Sequence, residues 1–166
     1  VDEQRFRLKS IDQIGFVVPD LDRAMESYWR HFGVGPWQVY EYGPPLVKDT
    51  AYRGRPEDYH IRIALAQVNG LAIELIQHLD GSTVHKEFHE RVGKGVQHLG
   101  LFVDNIDLAI KQLQQDGFKV IQSGRGYGAK GDGAYAYLDT EEELGVLYEL
   151  IQLPVERVQP DMVYPA

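Results

Sequence analysis

Two glutamates stand inside otherwise apolar, strand-like runs of this 166-residue chain: Glu74 in LAIELIQ and Glu149 in VLYELIQ. A carboxylate in such a run is costly to desolvate without a compensating partner. Two further runs, IDQIGFVV and VQHLGLFV, alternate so that Gln13 and His98 lie on the face opposite Ile14, Phe16 and Val18 or Leu99, Leu101 and Val103. Each is followed two residues later by a glycine, Gly15 or Gly100, which removes a side chain where a ligand would need room. If these four residues meet, two carboxylates balance a divalent cation, and the amide oxygen and imidazole nitrogen complete a mixed set. That set suits zinc, nickel, cobalt, manganese or iron(II) without choosing among them. Taken singly, a Glu or Gln in a strand is ordinarily a solvated edge, and a lone His a satisfied core or surface residue.

An internal repeat sets the four apart. IDQIGFVVPDLDRA (11–24) lies over VQHLGLFVDNIDLA (96–109) at an offset of 85, matching Gly15 with Gly100, Val18 with Val103 and Asp22 with Asp107. The tetrapeptide ELIQ recurs at 74–77 and 149–152. Two halves follow, 8–80 and 94–155, joined by a connecting helix at about 82–93 and trailed by a tail at 156–166. Each half opens with a strand and then a helical stripe: Leu21, Ala24, Met25, Tyr28 and Phe32 after the cap Asp20, and Ile106, Ala109, Ile110 and Leu113 after Asn105. Gly33 and Gly117 end these helices. Strands are expected at 37–42, 60–68 and 71–77, then at 119–123, 134–138 and 146–152, with irregular loops at 43–59 and 124–133. Each half is therefore a βαβββ module of mixed helix and strand. If a pseudo-twofold relates the halves, Gln13, Glu74, His98 and Glu149 form two equivalent pairs that can converge between the modules.

Other chemistry is weaker. His85 and His89 share a helix face, but HKEFH lacks the Glu directly after the first His that a zinc-protease helix needs, so a solvated face is expected. GRGYGAKGDG (124–133) offers Arg125 and Lys130 to an anion, yet it lacks the GK[ST] ending and no helix follows; a lid or hairpin loop is the expectation. Trp37, Tyr40, Tyr42, Tyr135 and Tyr137 can line an apolar pocket, with core packing the default for at least half of them.

Composition narrows the classes. There is no cysteine, which excludes disulfides, thiolate catalysis and Cys-ligated metal. Seventeen Lys and Arg against 25 Asp and Glu leave a net charge of -8, unfavourable for approaching a phosphate backbone, so no nucleic-acid partner is expected. No apolar run reaches the length of a membrane span and the first residues resemble no secretion signal, so a cytoplasmic protein without a membrane partner is expected.

Over 10–153 the sequence resembles the vicinal oxygen chelate superfamily, which includes glyoxalase I, methylmalonyl-CoA epimerase, extradiol dioxygenases and bleomycin-resistance proteins. The carriers are IDQIGFVVPDLDRAMESYWRHFGVGPW, LAIELIQ, GKGVQHLGLFVDNIDLAI and YLDTEEELGVLYELIQLP. The resemblance implies an α+β fold class, two paired βαβββ modules forming a cleft around one divalent metal held by the first and last strands of each module: Gln13, Glu74, His98 and Glu149. This quartet is similar to one ligand set of glyoxalase I, while FGVGPW and GKGVQHLGLFV look more like the epimerase branch. It implies an isomerase, epimerase or glyoxalase-like lyase that removes a proton beside the carbonyl of a small carbonyl or thioester substrate to give an enediolate. Glu149 is the first choice of base and Glu74 the second. The epimerase's additional base falls nearest Arg62 here, a departure from the pattern. A homodimer is expected from the family. A resistance-type binder without catalysis is the alternative, and a ring-cleaving dioxygenase ranks last because only one His is suitably placed.

Overall fold

The two cap residues read from the sequence start their helices as expected. Asp20 Oδ1 accepts from the Arg23 amide at 3.0 Å and Asn105 Oδ1 from the Leu108 amide at 2.9 Å, satisfying donors that a first helical turn leaves free. Gly33, in the left-handed region at φ 66°, closes the first helix by donating to the Trp29 carbonyl at 2.9 Å. The structure, a computed structural model, describes residues 5–166. Its elements are β1 (Gln13–Val17), α1 (Leu21–Phe32), β2 (Trp37–Tyr42), β3 (Lys48–Tyr52), β4 (Arg55–Pro56), β5 (His60–Val68), β6 (Leu71–Asp80), α2 (Val84–Val92), β7 (Gly95–Phe102), α3 (Ile106–Gln115), β8 (Val120–Tyr127), β9 (Gly133–Leu138), α4 (Glu141–Leu144), β10 (Leu147–Gln152) and β11 (Met162–Tyr164).

All eleven strands join one mixed sheet in the order β11-β2-β5-β6-β1-β7-β10-β9-β8-β3-β4. The fold class is α+β. At its centre β1 and β7 run antiparallel, and each is flanked by the last strand of its own half in parallel, β6 beside β1 and β10 beside β7. This arrangement brings the four strands that carry the polar quartet side by side. Helices α1 and α3 cover one face: Leu21 and Met25 of α1 pack with Trp37 and Leu75, and Ile106 and Ala109 of α3 with Leu138 and Leu150. Tyrosines and isoleucines, among them Tyr40, Tyr59, Ile61, Ile63 and Tyr137, fill the other face. Among the described residues no helix is long and apolar enough to cross a membrane.

The repeated ELIQ has a physical reason. Glu and Gln three positions apart point to opposite faces of a strand. The glutamates face the centre of the sheet, while Gln77 Oε1 accepts from the Leu21 amide at 3.1 Å and Gln152 Oε1 from the Ile106 amide at 3.0 Å. Each ELIQ therefore supplies one group to the site and one that ties the helix of its half to the sheet.

Three expectations are corrected. The segment 43–59 is not a loop throughout: it contains β3, which leaves the first half and pairs with β8 on the far edge of the second, and β4, which pairs with β3 outside it. Nor is 156–166 a simple tail, because β11 returns to pair with β2 on the opposite edge. Both additions cover sheet edges that would otherwise present unpaired backbone groups. The strand expected at 119–123 runs on to Tyr127 as β8, absorbing the first part of the Gly-rich segment. Gly124 makes this possible, since a Cβ there would lie 2.5 Å from the Tyr135 ring.

Candidate metal centre

Register decides the geometry of the site. Across the β1/β7 seam Gly15 lies opposite His98 and Gln13 opposite Gly100. A Cβ on Gly15 would sit inside the His98 imidazole, and one on Gly100 would lie 2.8 Å from Gln13 Cβ. The two glycines thus make room for the polar side chain of the opposite strand, rather than directly for a ligand. The parallel pairs align Gly15 with Glu74 and Gly100 with Glu149. The repeat thereby places the four groups around the seam, and Glu74, His98 and Glu149 form a cluster able to hold a metal ion.

The groups are close and nearly sealed from water: Gln13 is 6%, Glu74 7%, His98 0% and Glu149 5% exposed. His98 Nε2 lies 3.2 Å from an oxygen of each glutamate. Gln13 Nε2 lies 3.0 Å from Glu74, 3.2 Å from Glu149 and 3.5 Å from His98 Nε2. Four donors about 2.1 Å from a common ion are themselves about 3.0–3.5 Å apart, so the donor set fits a small divalent cation. A half-turn of the Gln13 amide, whose N and O are assigned by the hydrogen-bond network, presents Oε1 in place of Nε2.

Electrostatics support the fit. Burial opposes charge on the His98 imidazole, but the hydrogen-bonded Glu149 and Glu74 carboxylates outweigh it and push the pKa up to about 9. Burial pushes the Glu74 carboxyl up, with His98 opposing and Glu149 adding to the rise. Without a cation the cluster therefore holds protons that a divalent ion would displace. With His98 neutral and both glutamates ionised, the donor set carries two negative charges, which a divalent ion balances.

A buried network orients His98. Gln97 Oε1 lies 3.2 Å from His98 Nδ1 and 2.8 Å from His85 Nδ1. An amide oxygen only accepts, so both Nδ1 atoms carry hydrogen, and Nε2 is the His98 nitrogen that faces the glutamates and would turn its lone pair to an ion once its proton is displaced. Gln97 Nε2 donates to the Val84 carbonyl at 2.9 Å, Gln122 Nε2 to His85 Nε2 at 3.3 Å, and the Val84 amide to Gln122 Oε1 at 2.8 Å. Burial, followed by the nearby His98 charge, pushes the His85 pKa down to about 3. Tyr137 packs edge-on against both rings, with centroids 5.1 Å from His98 and 5.2 Å from His85.

This network corrects the expectation of a solvated His85/His89 face. His85 is fully buried, while His89 is exposed and bonds the Gly93 carbonyl at 2.5 Å. Arg62 does not point into the site either; it reaches outward to Asp22 on α1 at 3.1 Å. Arg125 pairs with Asp107 on α3, and Lys130 is exposed in the turn between β8 and β9. Tyr40, Tyr42, Tyr135 and Tyr137 line a cavity of about 70 Å3 above the quartet, whereas Trp37 is buried beneath α1 on the other face.

A family model described as the glyoxalase/bleomycin resistance protein/dioxygenase superfamily matches residues 12–137. The chain belongs to this superfamily. Among solved structures, methylmalonyl-CoA epimerase from Mycobacterium tuberculosis is 28% identical, with a TM-score of 0.63 over 91% of this chain and 95% of that one. A Streptomyces coelicolor methylmalonyl-CoA epimerase variant, in complex with 2-nitronate-propionyl-CoA, is 18% identical, with a TM-score of 0.67 over 92% and 99%. A hypothetical protein from Bacillus halodurans is 21% identical, with a TM-score of 0.63 over 90% and 98%. No curated protein matches the sequence. In this superfamily member, Gln97 and Arg157, which lines the cavity, escaped sequence reasoning. Gln97 was hidden because its neighbour His98 took the site-facing position, so simple alternation turned Gln97 away.

Proposed function

We propose that this chain is a divalent-metal-dependent enzyme of the glyoxalase or epimerase type, acting on a small carbonyl or thioester compound. The observation that carries the reading is the meeting of two buried glutamates, one from each half, with an amide and an imidazole that lie 3.0–3.5 Å from both carboxylates and from each other. Gln13, Glu74, His98 and Glu149 would hold the ion. A bound cation supplies Lewis acidity toward the oxygens of the substrate.

The side chains supply the rest. Glu74 and Glu149 are the only carboxylates that line the cavity among the described residues, so proton transfer at a carbon bound there falls to them. Glu149 acts as the base that takes the proton beside the carbonyl, and Glu74 faces the same space from the other half. Ile61, Ile63 and Leu65 keep the walls apolar, which excludes water and strengthens charge interactions inside. The burial-raised Tyr137 hydroxyl, its pKa lifted further by Glu149, stays protonated beside that carboxylate. The likeness to methylmalonyl-CoA epimerases supports including thioesters in this proposed substrate class.

Metal content of the purified protein is the first test, followed by turnover of the methylglyoxal–glutathione adduct and of methylmalonyl-CoA by metal-loaded protein. Glu149→Gln is expected to lower kcat by about 10²–10⁴ while metal stays bound. Unchanged turnover in that variant would refute the assignment of the base. Absence of stoichiometric metal, with no gain in Tm on adding it, would favour a metal-free binder instead.

A further inference from the structure

The chain beyond β10 runs along the cavity as a strap fastened at both ends. At its start Gln152 Nε2 donates to the Asp132 carbonyl at 3.0 Å, the Val155 amide to Asp132 Oδ2 at 3.1 Å, and the Ala129 amide to the Glu156 carbonyl at 2.8 Å. These bonds tie it to the turn between β8 and β9. At its far end the Asp161 amide donates to the Val39 carbonyl at 2.9 Å, the Glu41 amide donates to Asp161 Oδ2 at 2.9 Å, and β11 pairs with β2. Between these anchors Leu153, Pro154, Arg157 and Val158 line the cavity, and Val158 packs on the tyrosine-rich core.

Arg157 is the only cationic side chain in that lining. Arg7, Arg23, Arg30, Arg55 and Arg157 have no ion-pair partner among the described residues, and of these Arg157, an exposed residue, is the one that lines the cavity. Burial raises the pKa of Glu74, Tyr42 and Tyr127, and the Arg157 charge pulls all three back down, so its field reaches across the cavity to the quartet. Two ionised glutamates cancel a divalent ion. The arginine is then a surplus positive charge, separated from the ion position by apolar and aromatic walls.

We propose that Arg157 is an anion anchor, and that the substrate carries a carboxylate or phosphate at the end remote from its carbonyl. This rests on the metal-and-carbonyl reading above and names the substrate class for that same site. The anchor fixes orientation: the anionic end is held at the strap, and the carbonyl end is left at Glu74 and Glu149. An arginine suits the task because its planar fork meets two oxygens of either anion at once.

The test uses the metal-loaded 166-residue chain and probes whose hydroxamate end chelates the metal: the monohydroxamates of succinic and glutaric acid, their methyl esters, and the matching phosphonates. Calorimetry is expected to show the better-fitting acid binding at least about tenfold more tightly than its ester. Arg157→Gln is expected to bring acid and ester within about twofold, with ester affinity unchanged, while Arg157→Lys keeps part of the preference. Comparison of carboxylate with phosphonate assigns the anion. Equal binding of acid, phosphonate and ester to the wild type, or a preference that survives Arg157→Gln, would overturn the anchor while the metal reading stood. Failure of even the uncharged esters to bind would count against the metal reading, and the anchor would fall with it.

Discussion

Raising the pH from 6 to 8 is expected to tighten divalent-metal binding by about a hundredfold, because the ion must displace the proton on His98. The imidazole is lifted from 6.5 to about 9 by Glu149 and Glu74 against the opposing effect of burial. At neutral pH its deprotonation costs about 3 kcal/mol, two pH units at 1.36 kcal/mol each. The logarithm of the association constant should therefore climb by about one per pH unit and level off near the folded pKa. Glu74, also raised, steepens the acid end. The metal-free protein moves the other way: a raised folded pKa gives stability that is complete below 6.5 and lost as the pH rises through about 9, roughly 3 kcal/mol from His98. Chelator competition at several pH values gives the slope, and calorimetry in two buffers of different ionisation enthalpy counts the protons released. A slope near zero across this range, with no proton released, would refute the displacement of protons by metal at this cluster.

Gly15→Ala should expel the His98 ring from its place, since the added Cβ lies inside it. Metal affinity is expected to fall at least about a hundredfold with the far-ultraviolet spectrum preserved, and wild-type affinity would contradict the packing described. Gln97→Leu removes the acceptor that holds His98 Nδ1, and chelator competition should show about 10–100-fold weaker metal binding. Arg62→Ala, which cuts an outward pair with Asp22, should leave kcat unchanged in a steady-state assay and shift stability by less than about 1 kcal/mol.

Much of the site was legible because the chain states it twice. The offset of 85 and the two ELIQ segments marked Gln13, Glu74, His98 and Glu149 as equivalent pairs, and strand parity gave the face of each. Helix starts at Asp20 and Asn105 were equally local, since a cap depends on residues within one turn. The glycines were noticed for the right reason, the need for space, but their occupants were not: the side chain filling the space at Gly15 comes from His98, 83 residues further along. His85 illustrates the converse. Its spacing with His89 suggested a wet helix face, and only the packing of α2 against β6 and β7 turned it inward to Gln97 and Gln122.

By itself the sequence determined the periodicities: a doubled βαβββ pattern, the caps, the faces of individual strands and the four polar residues out of place in apolar runs. These follow from interactions within a few residues, where backbone geometry leaves little choice. Tertiary structure alone decided what crosses from one half to the other: the antiparallel seam between β1 and β7, the edge strands β3 and β11, and the strap that sets Arg157 at the cavity. Such pairings depend on which distant surfaces remain uncovered once each half has folded, and no local pattern encodes that.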